Sequence, residues 1–348
     1  MIAADTLPAV AEPLPQPAAA VIRAEEYDRR RYIGGSDIAS ILGVQPPGWR
    51  TALAVWERKT APDAAVELTE GEVRKRLARG QVVEPLVAGL LESMFSIRTI
   101  VRSRRYADPE VDYFAAEIDA EVPFSAVAPL FDGRPGAPTL DRIDGDEPVN
   151  IEIKTVHPFA ASQWGGEGTD EIPIHYAAQI QWGLGVRRRR FAICAALFGA
   201  DSLVLYPVVI DEELVAEMRD QARRFWLDYV LAGTPPPPMN RDDCQRLWPE
   251  HKAGASVEAD ANLLANVRTL AQVRDKRKAY EGGEEGIDLL IREAMRDAET
   301  LTHDGEVIAT LKAQNSTSLD QTKLKAEFPD AYKACLRVGR TRVLRLKD

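Results

Sequence analysis

"VNIEIKTVHP", residues 149–158, is the stretch on which the interpretation of this chain depends. Ile151 and Ile153 alternate with Glu152 and Lys154, and successive side chains of a β-strand point to opposite faces. The two isoleucines therefore share one face of a predicted strand, and the acid and the base share the other. By itself this pattern is equally typical of an ordinary solvent-exposed strand, so its meaning depends on the rest of the chain.

Helix and strand patterns alternate on both sides of this stretch. Apolar residues at helical spacing predict a helix over 70–95, interrupted at Pro85, and another over 172–184. A long amphipathic helix is predicted over 211–233 and ends at Gly233. We therefore predict an α/β (α+β) fold with a central mixed β-sheet flanked by helices, plus a small C-terminal helical and hairpin region. The predicted strands cover 97–106, 111–122, 149–157, 191–199 and 202–210.

Composition changes along the chain predict four segments. Residues 1–25 are rich in Ala and Pro and are expected to be a disordered tail, and residues 26–232 form the main domain. Four consecutive prolines within 233–239 indicate a stiff linker, and residues 240–348 form an extension. In the extension we expect charged helices over 257–298, a hairpin around Asp304-Gly305, a helix near 320–328 and a last strand over 341–347.

Charge and cysteine content narrow the class of protein. The net charge of −10 argues against a protein that coats nucleic acid by bulk charge, although a local basic channel remains compatible with it. The three cysteines, Cys194, Cys244 and Cys335, form no CxxC pair, which favours reduced thiols and a cytoplasmic location. No apolar run approaches the roughly 18–20 residues that span a bilayer, so we expect no membrane partner.

A second strand brings a possible partner for Glu152 and Lys154. In "VDYFAAEIDAEV" (111–122) a period of two places Asp119 on a face with two other acids, and this strand is expected beside the first. Neighbouring carboxylates repel each other unless a cation neutralises them, and Mg²⁺ or Mn²⁺ prefers oxygen ligands. A lysine two residues beyond the second acid would orient water or stabilise negative charge. This combination is typical of metal-assisted phosphodiester hydrolysis.

Four stretches, taken in order, make the pattern specific. As a set they resemble the YqaJ-type viral recombinases, which are relatives of the phage lambda exonuclease in the PD-(D/E)XK nuclease superfamily. The resemblance covers roughly residues 30–232. The stretches are "YIGGSDIASILG" (32–43), "GQVVEP" (80–85), "FAAEIDAEV" (114–122) with "NIEIKTVHPF" (150–159), and "IHYAAQIQWGLGV" (174–186).

The resemblance implies a role for individual residues in this sequence. One group would bind the metal and carry the catalysis, and a second would grip a DNA phosphate. The first group consists of Asp119 and Glu152 as metal-binding acids, the Ile153 carbonyl as a further ligand, Lys154 as the catalytic lysine, Glu84 as a helix glutamate that reaches the metal, and Gln179 as the residue that positions water or metal. The second consists of Ser36 with an arginine, Arg29 or Arg31.

Several of these residues also have simpler interpretations. Asp141 lies closer in sequence to Glu152 than Asp119 does and is the alternative first acid; we favour Asp119 because its strand is apolar on one face. Glu84 suits a helix N-terminus through the helix dipole, and Ser36 is a good N-cap for a helix that follows it. Trp164, in a Gly-rich loop, would either stack on a base or pack internally.

The expected function follows from the resemblance. It implies a Mg²⁺- or Mn²⁺-dependent DNA exonuclease that digests double-stranded ends 5′→3′ and leaves 3′ single strands for recombination. The implied partner is an annealing protein of the RecT/Bet type, the implied assembly is a ring-shaped trimer, and the setting is a phage or prophage protein in bacterial cytoplasm. The alternatives are a RecB-like or restriction-type nuclease acting on single strands or internal sites, and a non-catalytic DNA-binding protein of the same fold.

Overall fold

The computed structural model describes residues 28–61, 71–99, 101–132, 143, 145, 147–199, 202–337 and 339–346. The predicted tail, 1–25, lies outside these residues. The chain divides into two units, Met1–Asp243 and Cys244–Asp348. Within the described ranges, no helix is both long enough and apolar enough to cross a membrane.

A five-stranded mixed sheet forms the centre of the first unit. Its strands are β1 (Val101–Ala107), β2 (Ala115–Pro123), β3 (Pro148–Val156), β4 (Phe191–Phe198) and β5 (Ser202–Val209). They lie side by side in chain order. All neighbours are antiparallel except β3 and β4, which are parallel. Parallel neighbours need a crossover connection, and the helix α5 (Ile174–Arg187) provides it.

Helices cover both faces of this sheet, which confirms the predicted fold class. β4 is almost continuously apolar because it lies between β3 and β5 and is buried on both faces. Ile193 packs in a cluster with Leu91, whereas its neighbour Cys194 packs in another with Leu184 of α5. The remaining helices of this unit are α1 (Gly35–Leu42), α2 (Ala52–Thr60), α3 (Gly71–Phe95), α4 (Phe124–Val127) and α6 (Glu212–Arg224), and α7 (Arg241–Leu247) crosses into the second unit.

The helix ends differ from the sequence predictions in two places. Ser36 is not the N-cap of α1: the helix begins at Gly35, and the Asp37 carboxylate accepts the Gly34 N–H at 3.2 Å. Pro85 lies inside α3 and does not divide it. The predicted helix over 211–233 is confirmed, with a π-helical continuation over Phe225–Leu231 after α6.

A buried aspartate holds the residues that follow the four prolines against the start of α2. Asp243 is 1% exposed, and its carboxylate accepts hydrogen bonds from the Met239 N–H at 3.0 Å and the Thr51 hydroxyl at 2.8 Å. Residues just beyond the prolines therefore contact the N-terminal end of α2. The four predicted segments, with boundaries at 25, 232 and 239, stay a prediction.

The second unit contains one long helix, a hairpin and two short helices. The hairpin is confirmed, and Asp304 and Gly305 at its turn have positive φ values of 50° and 86°. The last predicted strand is wrong: residues 341–346 form no regular secondary structure, and the Arg342 N–H donates to the Gln245 side chain at 3.1 Å. The elements are α8 (Ala261–Met295), β6 (Thr300–His303), β7 (Glu306–Thr310), α9 (Gln321–Glu327) and α10 (Pro329–Cys335).

Candidate active site

Two acidic side chains meet where β2 and β3 separate. Ala120 pairs with Ile151 across these strands, so Asp119 and Glu152 follow directly at the same end of the ladder. The Ile153 N–H donates to the Asp119 carboxylate at 2.7 Å, and Glu152 is only 6% exposed. The hydrogen bond fixes Asp119 against the strand that carries Glu152.

The electrostatics of this pair follow from burial and from their proximity. Burial raises the pKa of Asp119 well above its usual value, the charge of Glu152 adds to this shift, and Lys154 opposes it. Burial alone would lower the pKa of Lys154, but the carboxylates of Glu152 and Asp119 raise it above its usual value. The positive charge of Lys154 therefore compensates part of the negative charge of both buried acids.

Lys154 and Gln179 form a hydrogen-bonded group with Glu152. The Lys154 ammonium contacts one Glu152 carboxylate oxygen and donates to the Gln179 side-chain oxygen at 3.1 Å. The Gln179 amide nitrogen donates to the same Glu152 oxygen at 2.5 Å. Because Gln179 lies on α5, the crossover helix delivers a third polar side chain to the strand.

Glu84 lies apart from this group. Its carboxylate accepts a hydrogen bond from the Ser103 hydroxyl at 3.1 Å, and its charge contributes only a minor upward shift to the pKa of Asp119. Within the described part of the chain, no three His, Cys, Asp or Glu side chains are close enough together to hold a metal ion. The structure brings two of the three predicted acids together.

The donor chemistry of Asp119 and Glu152 nevertheless fits a hard divalent cation. Both side chains offer carboxylate oxygens, which Mg²⁺ and Mn²⁺ prefer. Mg²⁺ is commonly held by one or two carboxylates and keeps several waters, so two acids are sufficient. A cation would also offset the repulsion that Lys154 only partly compensates. The role of the Ile153 carbonyl stays a prediction.

A basic group lies near the start of α1. An Arg29 guanidinium nitrogen donates to the Ser36 hydroxyl at 2.7 Å, and Arg29 is also paired with Glu117. Glu117 is held in turn by the Tyr32 hydroxyl at 2.7 Å. Arg31 points elsewhere: its side chain is 76% exposed and pairs with Asp28 at 3.7 Å. The structure therefore brings Arg29, and not Arg31, to Ser36.

A buried ion pair beneath this basic group was missed by the sequence analysis. The side chains of Lys59 and Asp37 are fully buried and form a salt bridge of 2.7 Å. The Lys59 ammonium also donates to the Arg29 and Tyr32 carbonyls. Burial alone would raise the pKa of Asp37, but Lys59 and Arg58 hold it well below its usual value. The pair fixes the backbone that carries Arg29.

Arg50 was missed as well. Burial and the positive charge of Arg58 lower the pKa of Arg50, as does the more distant charge of Arg29. Three arginines therefore lie within electrostatic reach of one another, which makes this region attractive to an anion. No motif marks Arg50, because its relevance depends on the packing of α1 against α2.

One cleft unites the acidic and the basic groups. It is open to solvent and encloses about 540 Å³ of space, a volume that includes part of the adjoining solvent. No periodicity in the sequence predicts this arrangement, because the lining comes from five different elements and the segment before α1. Its polar lining residues are Arg29, Ser36, Glu117, Asp119, Asn150, Glu152 and Gln179.

Two further predictions concern residues near this cleft. Asp141 lies outside the described residues, so the preference for Asp119 as the first acid stays a prediction. Trp164 packs internally: its ring lies 5.1 Å from Tyr206 and 5.6 Å from both Tyr176 and Phe198, centroid to centroid. Stacking on a base is therefore not its role in this structure.

Comparison with known proteins agrees with the resemblance seen in the sequence. Residues 26–189 match the model of the YqaJ-like viral recombinase domain. The chain is similar to a Bacillus subtilis (strain 168) protein described as "Uncharacterized protein YqaJ", with 26% identity over 315 residues and 88% of each chain covered. Residues 26–189 are therefore similar to the YqaJ-like viral recombinase domain, and this similarity supports a nuclease related to phage recombination, of a kind that generally requires a divalent metal.

Similar solved structures include two exonucleases. An alkaline exonuclease (LHK-Exo) from Laribacter hongkongensis is 14% identical, with a TM-score of 0.42 over 60% of this chain and 93% of that chain. A phage related exonuclease from Haemophilus somnus 129PT is 11% identical, with a TM-score of 0.36 over 58% of this chain and 96% of that chain.

Proposed function

We propose that this chain is a Mg²⁺-dependent DNA exonuclease that digests double-stranded ends 5′→3′ and leaves 3′ single strands. One observation carries the proposal: the Asp119, Glu152, Lys154 and Gln179 side chains line one cleft, or contact residues that line it, together with the Arg29–Ser36 pair. The first group offers the chemistry of phosphodiester hydrolysis, and the second offers a site for a phosphate.

The residues of the cleft would have different roles in the reaction. Asp119 and Glu152 would hold the cation, which when bound polarises the phosphate and lowers the pKa of water. The Lys154 ammonium, already beside Glu152, would donate to a phosphate oxygen and stabilise developing negative charge. Gln179 would keep Lys154 and Glu152 in position through its two hydrogen bonds. We also infer that Glu84 reaches the cation through water.

The basic end of the cleft accounts for a preference for strand ends. Arg29 and Ser36 would bind a terminal 5′-phosphate by charge-assisted hydrogen bonds, as Arg commonly does. A phosphate held there would leave the next phosphodiester for the carboxylates in the same cleft. This geometry supports digestion from a 5′ end over cleavage at internal sites.

The proposed substrate and direction are tested by digesting linear duplex DNA labelled at either the 5′ or the 3′ end, with Mg²⁺ or with chelator. We expect the 5′ label to be released first as mononucleotide, only with metal, while closed circular duplex stays intact. Cutting of the circle would favour the restriction-type alternative, and preferential digestion of single strands would favour the RecB-like one. Binding of DNA ends without any cleavage would favour the non-catalytic alternative.

The remaining elements of the proposal concern the biological setting. A single-strand annealing protein of the RecT/Bet type would receive the 3′ strand, and a ring-shaped trimer would retain the DNA during digestion. The setting would be a phage or prophage protein in bacterial cytoplasm. Family resemblance supports these three elements, and mass measurement with co-purification of a RecT-type protein would test the first two.

A further inference from the structure

The side-chain amide of Asn150 is buried and has no hydrogen-bond partner among the described residues. It lies on β3, two residues before Glu152, and is only 4% exposed. Neither its side-chain oxygen nor its side-chain nitrogen forms a hydrogen bond within the part of the chain that the structure describes. An unsatisfied amide of this kind destabilises a folded protein, and an apolar side chain of similar size would avoid that cost. The residue therefore calls for an explanation other than packing.

The position of Asn150 beside the acidic residues of the cleft supplies this explanation. The residue lines the same cleft as Asp119, Glu152 and Gln179. Residues i and i+2 of a strand point to the same face, so the amide lies beside the Glu152 side chain, about 7 Å along β3. The two side chains make no direct hydrogen bond, and a single water molecule between them would bridge the amide and the carboxylate.

Small residues border the amide. Gly183 on α5 faces it, and a side-chain carbon added there would lie 3.9 Å from the Asn150 nitrogen but only 3.3 Å from Ile118, so the wall of the cleft is closely packed at this point. The strand neighbour on β4 is Ala192, which also lines the cleft. A side chain with an unused donor and an unused acceptor, on the lining of a cleft that holds carboxylates, offers the polar partners that a water site needs.

We propose that Asn150 is a positioning residue whose amide binds a water molecule at the inner end of the cleft, and that this water supports the cation held by Asp119 and Glu152. The inference rests on the proposed function. The water would belong to the hydration shell that Mg²⁺ and Mn²⁺ retain in proteins, or would hydrogen-bond to a carboxylate that binds the cation. Groups in such outer positions typically change metal affinity by about 10–100-fold when they are removed.

The test measures Mn²⁺ binding to the full chain by calorimetry without DNA, together with thermal unfolding in chelator. The variants are Asn150→Leu, which has a similar size and no polar atom, and Asn150→Ser, which keeps a hydrogen-bonding group. Asn262→Leu, at an exposed position on α8, is the matched control. We expect Asn150→Leu to weaken Mn²⁺ binding about 10–100-fold, Asn150→Ser to weaken it less, and Asn262→Leu to leave it unchanged.

The unfolding temperature separates this role from a structural one. If Asn150 is unpaired within the protein, Asn150→Leu in chelator unfolds at the wild-type temperature or above it. A marked fall in that temperature would show that the amide has protein partners, and would overturn the inference. So would wild-type Mn²⁺ binding by a folded Asn150→Leu variant. Failure of the wild type to bind Mn²⁺ would instead overturn the proposed function, and the inference with it.

Discussion

Replacing Lys59 with methionine is expected to destabilise the first unit strongly. Lys59→Met keeps the length of the side chain but removes the cation that faces Asp37, and both side chains are completely buried. The substitution also removes the donor to the Arg29 carbonyl, at 2.6 Å, and to the Tyr32 carbonyl. Arg58 still faces Asp37, so the carboxylate keeps one cationic partner.

The magnitude follows from the burial of the pair. Removing one partner of a buried ion pair costs about 3–5 kcal/mol, and the buried Asp37 charge then depends on Arg58, whose side chain is partly exposed. A domain of about 150–250 residues loses about 2–4 °C of unfolding temperature per kcal/mol, so we expect a fall of about 6–20 °C. Circular dichroism would measure it, with Lys252→Met, at an exposed position, as the control.

A double variant distinguishes the ion pair from simple loss of packing. Asp37→Asn in the Lys59→Met background removes the buried negative charge while retaining an oxygen for the Gly34 N–H. We expect the double variant to lose less unfolding free energy than the two single variants lose in total. A loss below about 1 kcal/mol in Lys59→Met, or strictly additive losses, would refute the argument that the buried pair holds this segment.

Three further predictions concern the same cleft. Arg29→Ala should abolish the preference for 5′-phosphorylated over 5′-hydroxyl duplex ends, whereas Arg31→Ala, two residues away on an exposed side chain, should keep it; equal effects in a rate comparison would contradict the phosphate site. Because the pKa of Asp37 is depressed in the folded state, its stabilisation is present above pH of about 4 and should be lost as the pH falls further, which acid unfolding of wild type and Asp37→Asn would measure. Asp119→Ala should eliminate nucleotide release while Asp141→Ala retains it, and the reverse result would make Asp141 the first acid.

Much of the fold could be predicted because the burial of a strand or helix determines the spacing of apolar residues in its sequence. The continuous apolar run of β4 reflects burial on both faces, and the alternation in β3 separates Ile151 from the Glu152–Lys154 face. The last predicted strand failed for the opposite reason. Residues 341–346 include Thr341 and Val343, residue types that favour strands, but a strand also needs a neighbour with which to pair, and that neighbour cannot be deduced from local sequence.

The candidate site was predictable in part. Glu152 and Lys154 are two residues apart, so their common face follows from strand geometry alone. The choice between Arg29 and Arg31 depends on the direction of a turn before α1, which local sequence does not reveal. The role proposed for Asn150 could not be predicted from the sequence. A single asparagine in a strand is not distinctive until the structure shows that its side-chain amide makes no hydrogen bond to the described residues.

The most direct test of the account is nucleotide release from 5′-phosphorylated linear duplex DNA with Mg²⁺, comparing wild type with Lys154→Ala. Lys252→Ala, at an exposed position in the second unit, is the matched control. We expect wild type and Lys252→Ala to release nucleotides at similar rates, and Lys154→Ala to lose at least about 100-fold, as removal of one group that stabilises transition-state charge commonly does. Equal release by wild type and a folded Lys154→Ala would contradict the assignment of this cleft as the active site.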